Sequence, residues 1–430
     1  MTNKYGNNYH NPLNFIKSAL LLIAVFSHGV LSANEPEAIN NLLKDQIAFG
    51  CKVLTHLAAQ NAHENIVVAP AALSDLLLAG YSTGDPKLMQ LTENLFSDPN
   101  LRNFSGQFRI LHDRLTNTPN LSFVMGVFQQ NKAVSNLFDG WKNIKFQKLS
   151  TDKNQAANDI NQWSGTNLVD PRQWPVTPPV ALTAKVKLDT KWAQPMQQEQ
   201  PGTFYDSQNK PYTTNFTHGN WTDIGYIKVR DPKESDWYYA FWLPNAGEKE
   251  IKQEKKSLWA RVTGLFSSPK STPISRLQTL VVLPPKTVDM KEAITRLREL
   301  LSTPKGWQGT NINFELPNAE VNTSSQMLQN ALIASTGLSS DKISPQIKAA
   351  VSAIIANTSF TFQRSGTTGE LKASVTTKPE IGAPLVVDTA FYPHITIKFD
   401  RPFLFAVVDA ENNTVLFMGI VQKPKPLTKY

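Results

Sequence analysis

Two apolar runs near the C-terminus constrain the fold of this chain more than any other stretch. Residues 403–408 read FLFAVV and residues 415–418 read VLFM, and the polar segment 409–414 separates them. Runs of aromatic and β-branched residues of this length, bounded by turn-forming residues, are typical of strands. The pattern therefore predicts an antiparallel hairpin in a C-terminal region that is rich in strands.

Helical and extended patterns are intermixed along the rest of the chain. Apolar residues recur at helical spacing in the segment 39–57 and again in 290–301. Residues 65–70 (NIVVAP) and 121–130 (LSFVMGVFQQ) have the composition of strands. Because strands and helices are mixed, with no internal repeat and no dividing linker, the sequence predicts a single α+β domain with large mixed sheets.

Several short motifs resemble the serpin (serine protease inhibitor) family. The segment 399–424, FDRPFLFAVVDAENNTVLFMGIVQKP, is similar to the family's C-terminal signature almost residue for residue. NIVVAP at 65–70, INQW at 160–163 and KVKLDTKW at 185–192 are similar to further family motifs, and Gly366-Thr367 resembles the start of the reactive-loop hinge. The resemblance implies the serpin fold, with three β-sheets, about nine helices and an exposed reactive-centre loop.

The resemblance also implies a function as a suicide pseudo-substrate. In inhibitory members a serine or cysteine protease cleaves the reactive loop and becomes acylated. The loop then inserts as a new central strand of a sheet and carries the protease with it. Here the loop corresponds to residues 366–398, and the usual distance from the hinge predicts the scissile bond between Glu380 and Ile381. The hinge residues are Gly366, Thr367, Thr368 and Gly369. The implied partner is a target protease, and the implied state is a monomer.

Insertion requires alternate side chains of the loop to enter a packed core. Inhibitory members usually carry a run of alanines after the hinge threonine, whereas this chain continues with TGELK. The family register directs Thr367, Gly369 and Leu371 inward and leaves Glu370 and Lys372 on the outer face. We expect insertion to be tolerated in that register. In the opposite register, burying two charges would cost several kcal/mol and insertion would stall.

The resemblance places alanines where the family has a polar shutter beneath the opening of this sheet. The positions concerned are Ala69 and Ala72 on either side of Pro70, together with Ala184 and Ala356. Replacing a whole buried hydrogen-bond network by apolar groups is nearly neutral for stability, so the fold can survive the change. Two functions therefore stay open: a protease inhibitor with an unusual loop, and a non-inhibitory binding or carrier protein whose loop does not insert efficiently.

The N-terminus has the pattern of a signal peptide. Lys4 and Lys17 precede the apolar run 19–26, and small residues follow at Ser32 and Ala33. The run is too short to span a bilayer comfortably, so residues 1–33 are predicted to be cleaved and 34–430 to form the mature domain. An uncleaved anchor is the alternative. Export implies an extracellular protein, or a periplasmic one in a bacterium. Because Cys51 is the single cysteine, the chain cannot form an intrachain disulfide. The thiol of Cys51 is expected to be buried and inert.

The surface features are less specific. The net charge of +8 is mostly spread along the chain, and no nucleic-acid-binding motif occurs. The insertion 248–275 is foreign to the family pattern and contains a basic amphipathic helix at 255–268, predicted either to pack on the protein or to dock on a membrane or acidic partner. In a host that carries out N-glycosylation, the acceptor sites would be the N-x-[ST] sequons that begin at Asn103, Asn120, Asn215, Asn220, Asn322, Asn357 and Asn412.

We find no pattern that predicts catalysis. HExxH, GxSxG, the phosphate-binding GxxxxGK[ST] and CxxC motifs are all missing, and the seven histidines do not pair at metal-ligand spacing. Asp409 and Glu411 are close, but they belong to the predicted hairpin turn, where carboxylates normally face water. The sequence therefore predicts a protein that is not an enzyme and that uses no cofactor or metal. A transport or enzymatic domain that merely resembles the family is the remaining reading.

Overall fold

The computed structural model describes residues 41–96, 105–130, 138, 140–165, 167–174, 177–194, 196–230, 236–246, 276–302, 307–338, 348, 351, 354–364, 366–371 and 394–424. Two units are distinguished, residues 1–44 and 45–430, and only residues 41–44 of the first are described. The predicted signal peptide, the insertion 248–275 and the predicted scissile bond lie outside the described residues.

Seven α-helices fall within the described residues, against the nine or so implied by the resemblance. They are α1 (residues 41–60), α2 (Pro70–Ser82), α3 (Pro86–Leu95), α4 (Ser105–Thr116), α5 (Lys153–Ser164), α6 (Met290–Ser302) and α7 (Ser325–Ser335). Side-chain caps satisfy free amides at three helix starts: Asp85 accepts from Lys87 N at 2.8 Å, Asp152 from Gln155 N at 2.8 Å, and Ser324 from Met327 N at 3.3 Å. The helices predicted at 39–57 and 290–301 correspond to α1 and α6.

Within the part of the chain that the structure describes, sixteen strands form two hydrogen-bonded sheets. They are β1 (Ile66–Val68), β2 (Leu121–Gln129), β3 (Ile144–Lys148), β4 (Val180–Lys191), β5 (Gln200–Tyr205), β6 (Pro211–Arg230), β7 (Trp237–Pro244), β8 (Leu277–Leu283), β9 (Gln308–Pro317), β10 (Ala319–Thr323), β11 (Ile354–Ile355), β12 (Thr358–Gln363), β13 (Gly366–Leu371), β14 (His394–Lys398), β15 (Phe403–Asp409) and β16 (Thr414–Val421). The nine-stranded sheet has the order β1-β16-β15-β8-β7-β6-β9-β14, with β5 on β6. The seven-stranded sheet has the order β10-β12-β13-β4-β2-β3, with β11 on β4.

The nine-stranded sheet is continuous because β6 passes through both of its halves. The first part of β6 pairs with β5 and β9, and its last residues pair with β7 as well. The register with β9 shifts between Trp221 and Ile224, which marks a bulge. Bulges bend a strand and increase its twist. One bent strand therefore joins two sheet regions that the resemblance implied to be separate.

The two sheets are linked by an aromatic core. Phe360 and Phe362 on β12 contact Phe405 on β15, with ring centroids 4.6 Å and 4.9 Å apart. Phe360 also lies 5.7 Å from Phe417 on β16. The predicted C-terminal hairpin is confirmed as β15 and β16, and all of its strand residues are buried. This hairpin therefore supplies one wall of the core.

The hairpin turn departs from the sequence expectation, because Asp409 is fully buried and does not face water. Arg276 donates from Nε to Asp409 Oδ1 at 3.0 Å and from a terminal nitrogen to Oδ2 at 2.8 Å. Thr118 and Asn412 each donate to the same carboxylate at 2.9 Å. Four charge-assisted or neutral hydrogen bonds compensate the desolvation of this carboxylate. Glu411 does remain largely exposed, as expected.

The structure also bears on the predicted reactivity of Cys51 and on membrane-spanning helices. Cys51 is buried, and burial raises the pKa of its thiol to about 12, so the thiol is inert as predicted. None of the described helices combines the length and apolar character that a membrane crossing requires.

Candidate functional site

The first residues of the predicted reactive loop form a strand inside the seven-stranded sheet. Strand β13 lies between β12 and β4 and is antiparallel to both. Thr367 pairs with Phe362 on one side and Thr190 on the other, and Leu371 at the far end pairs with Thr358 and Val186. All four predicted hinge residues thus belong to this strand.

Gly366 occupies a position that only glycine fits. Its φ is 155°, and a Cβ built there would lie 1.9 Å from the carbonyl oxygen of Thr190. Backbone atoms of a neighbouring strand cannot move aside without breaking the ladder, so any side chain would displace β13 or β4. The glycine therefore permits the chain to turn from β12 directly into β13.

Thr367 is anchored by a buried polar cluster, the hinge network, whose members are Thr190, Asn245, Thr279 and Thr367. The hydroxyls of Thr190 and Thr367 lie 2.9 Å apart. The amide nitrogen of Asn245 donates to both hydroxyls, at 2.9 Å and 3.3 Å, and its oxygen accepts from Thr279 at 3.0 Å. All four residues are at most 3 % exposed. Since Asn245 directly follows β7 and Thr279 lies within β8, the network ties the predicted hinge to the other sheet.

Sequence reasoning did not identify the three partners of Thr367 in this network. Asn245 lies 55 residues from Thr190 and 122 from Thr367, so no local pattern links them. One signal was available: Asn245 follows directly after an apolar strand that ends in Leu243-Pro244, where a buried amide requires partners.

The pairing register of β13 with β4 shows that Thr367 faces the core. Thr367 is fully buried, on the inner face of the sheet. In the ladder with β4, Thr368 is opposite Asp189 and Glu370 is opposite Lys187. Lys187 is only half-buried and Asp189 is exposed. The acidic loop position is therefore next to a basic strand position on the solvent side.

Beyond the end of β13, strand β4 is paired with β11. Ile354 and Ile355 pair in parallel with Leu182 and Thr183 of β4. Strand β13 ends opposite Val186. A longer insertion in the same register would bring residue 374 opposite Thr183, which β11 already occupies. Any insertion beyond residue 373 must therefore displace β11 from β4.

The predicted shutter positions are all buried around this closed part. They are Ala69, Pro70, Ala72, Ala184 and Ala356. Ala356 follows β11 directly, and the β11 register continues toward Ala184. Helix α2, which begins at Pro70, packs against β4. The neighbouring Thr183 hydroxyl is buried with no hydrogen-bond partner among the described residues. The lower half of the opening is thus closed by apolar contacts.

The far end of the predicted loop is held in the other sheet. Strand β14, which ends at Lys398, pairs in parallel with β9. Lys398 forms an ion pair with Glu315 of that strand. Residues 372–393, including Glu380 and Ile381, lie between the two anchors and outside the described residues. The two ends of the loop are therefore fixed in different sheets.

A buried His–Asp pair lies apart from the loop, between α2 and α4. His112 Nδ1 is 2.9 Å from Asp75 Oδ2, and His112 Nε2 donates to the Lys142 carbonyl at 2.7 Å. Burial raises the pKa of Asp75, and His112 only partly opposes this. Burial lowers the pKa of His112, but hydrogen bonding and the charge of Asp75 outweigh it, so that pKa lies above its usual value. The pair is closed to solvent and has no access to a substrate. No group of residues suited to metal binding occurs in the described part of the chain.

Comparisons with known proteins agree with this architecture. The model of the family "Serpin (serine protease inhibitor)" matches residues 273–424. No curated protein sequence matches the chain. Among solved structures, native protease nexin-1 with heparin is 17 % identical and aligns over 90 % of this chain and 100 % of its own, with a TM-score of 0.62.

Two further structures show the same fold. Cleaved Serpin 42Da is 18 % identical over 90 % of this chain and 99 % of its own, with a TM-score of 0.62. Thyroxine-binding globulin in complex with thyroxine is 13 % identical over 90 % and 99 %, with a TM-score of 0.60. The serpin family model thus matches the C-terminal third of the chain, and the solved structures show that the chain has the α+β serpin fold.

Proposed function

We propose that the protein inhibits a serine or cysteine endopeptidase as a suicide pseudo-substrate, through the reactive loop 366–398. The observation that carries this proposal is the position of β13. Six loop residues are paired on both sides within the seven-stranded sheet, between β12 and β4. A loop strand that is paired on both sides in this sheet supports trapping by further insertion in the same direction.

The chemistry of the inserted positions supports the same function. The inner position nearest the hinge carries Thr367, whose hydroxyl is fully hydrogen-bonded, so its burial leaves no unpaired polar group. In the ladder Glu370 is opposite Lys187, a partly exposed position of β4, and this register supports insertion without burial of a charge. Further insertion displaces only the two-residue pairing of β11, and each added loop residue would gain pairing on two sides.

The proposed reaction begins at the bond between Glu380 and Ile381. The protease hydroxyl or thiol attacks the Glu380 carbonyl, the peptide bond breaks, and the Ile381 amine leaves with a proton. Glu380 is then joined to the protease as an ester or thioester. Insertion of residues 372 onward would carry the acylated protease along the sheet before water can release it.

A non-inhibitory binding or carrier function is the second candidate. It is favoured by the closed lower half of the sheet, where β11 occupies β4 and alanines stand at all the shutter positions except Pro70. No polar latch regulates the opening there. If displacing β11 is slower than hydrolysis of the acyl-enzyme, the protease escapes and the loop is merely cut.

Incubation with a panel of purified serine and cysteine proteases, including one that cleaves after glutamate, distinguishes the two functions. The inhibitor should form a covalent complex that survives denaturing gels, and loop cleavage should raise the melting temperature strongly. Thr367→Arg, which places a charge at the buried hinge position, should abolish both effects. Thr295→Arg on the exposed surface of α6 is the matched control and should change neither. Plain cleavage without a complex would refute inhibition and support the carrier.

The proposal includes export and a monomeric state. Residues 1–33 would be removed on secretion, so N-terminal sequencing of the exported protein should begin at Asn34. Sedimentation of the purified protein should give the mass of one chain. Deleting residues 255–268 tests membrane or acidic-surface contact by the insertion: unchanged liposome binding would exclude it.

A further inference from the structure

A groove lies along the outer edge of β14, the last strand of the nine-stranded sheet. It has a volume of about 680 Å³, and its walls include Tyr226 on β6, Tyr239 on β7 and Lys286 after β8. All five residues of β14 line it. Side chains on one face of a strand come only from alternate residues, so a lining of consecutive residues indicates that the strand edge itself faces the groove.

This edge is open within the described chain. Strand β14 pairs with β9 on one side, and no described strand pairs on the other. An edge strand presents unpaired main-chain N–H and C=O groups, which are a template for an added strand. The groove therefore offers main-chain hydrogen bonds along its length.

The charges around the groove favour an anionic occupant. Four lysine and arginine residues line it, against Asp236 and Asp400. Arg401 is balanced by Asp400, and Lys398 by Glu315. Lys228 and Lys286 are exposed and have no carboxylate partner in the described part of the chain. Two ammonium groups thus remain available to acidic side chains of a ligand.

The floor of the groove is aromatic and positions one of these cations. Tyr226 stacks on Phe241 with centroids 5.2 Å apart. Lys228 Nζ lies 4.4 Å from the ring of Trp237 and 5.3 Å from that of Tyr239. Such cation–π contacts hold the ammonium group near the rings without neutralising it. Apolar side chains of a ligand can rest on the same rings.

We propose that the β14 groove binds an extended acidic peptide segment of another protein, which adds to the sheet as a strand beside His394–Lys398. The main chain would pair with the open edge, acidic side chains would meet Lys228 and Lys286, and apolar side chains would cover Tyr226 and Tyr239. The site is separate from the β13 insertion, and because β14 forms the last residues of the loop 366–398, an occupant would also steady the far anchor of the loop.

Fluorescence anisotropy on the full-length secreted protein tests the proposal. The probe is a labelled peptide of about nine residues that alternates glutamate and valine. It should bind saturably, and a lysine–valine peptide should not. Lys228→Glu combined with Lys286→Glu should weaken binding at least about tenfold. Lys52→Glu combined with Lys291→Glu makes the same charge change at exposed sites away from the groove and should stay within about twofold of wild type.

A second probe tests the strand addition itself. The same glutamate–valine peptide with an N-methyl group on every residue cannot donate main-chain hydrogen bonds along either edge and should lose binding. Unchanged near-ultraviolet circular dichroism would show that each variant is folded. Absence of binding to the wild type, equal binding to the Lys228/Lys286 variant, or equal binding of the methylated peptide would each overturn the proposal.

Discussion

Replacing Asn245 by leucine tests whether the hinge network stabilises the inserted strand. Asn245→Leu preserves side-chain volume but removes the donor to Thr190 and Thr367 and the acceptor of Thr279. The hydroxyls of Thr190 and Thr367 still hydrogen-bond to each other, whereas the buried hydroxyl of Thr279 loses its acceptor. Two lost hydrogen bonds at about 1 kcal/mol each, with about 1–3 kcal/mol for the stranded hydroxyl, give a destabilisation of about 3–5 kcal/mol.

Urea unfolding of four proteins measures this value: wild type, Asn245→Leu, Thr279→Val and the double variant. The double variant removes the stranded hydroxyl, so it should be more stable than the sum of the single effects predicts, by about 1–3 kcal/mol. Limited proteolysis should also cut near residues 366–371 faster in Asn245→Leu. Strict additivity, or a cost for Asn245→Leu below about 1 kcal/mol, would refute the reasoning.

Three further predictions follow from buried groups. Arg276→Met leaves the Asp409 carboxylate buried without its cation and should lower the unfolding free energy by about 3–5 kcal/mol in urea titrations. The folded-state pKa values of His112 and Asp75 are both raised, so the stability that this pair contributes is complete in acid. For His112, this contribution is lost as the pH rises from about 6.5 upward. Unfolding free energies measured at a series of pH values should show the decline. Gly366→Ala should expel β13, which makes the loop base accessible to protease in timed digests.

Each of these has a matched control. Arg296 pairs with the exposed Glu299, so Arg296→Met should cost less than about 1 kcal/mol. The variant with His112→Gln and Asp75→Asn carries no titrating pair, and a pH dependence equal to that of wild type would contradict the assignment. Gly225→Ala places a Cβ at ordinary contact distance, 3.4 Å from Trp242, and should leave β13 protected. If Gly225→Ala exposes the loop base as much as Gly366→Ala does, the steric account fails.

Local patterns were sufficient for much of the fold. The hairpin of β15 and β16 was predictable because two apolar runs flank a turn, and α6 because its apolar residues recur every three or four positions. Asp409 was placed in water for the same local reason, wrongly, since its partner Arg276 lies 133 residues away. The proximity of Asn245 to Thr367, like the open edge of β14, depends on how distant strands meet. A short segment of sequence therefore does not predict these contacts.

The hinge was predicted from its motif, but the position of these residues inside the sheet could not be predicted. Whether β13 is inside or outside the sheet depends on a balance between strand pairing, the entropy of the rest of the loop and the displacement of β11. These terms arise from the whole sheet. The motif Gly366-Thr367 indicates only that the strand can form.

The placement of β13 also determines how the protein behaves at high concentration. If β13 left the sheet and β12 did not close onto β4, both strands would have unpaired edges, and such edges recruit strands from other molecules. In the observed fold the chain fills the space between β12 and β4 with its own residues over the length of β13. We therefore expect solubility to depend on Gly366 and Thr367: a substitution that releases β13 would replace a strand pairing within one molecule by a possible pairing between molecules.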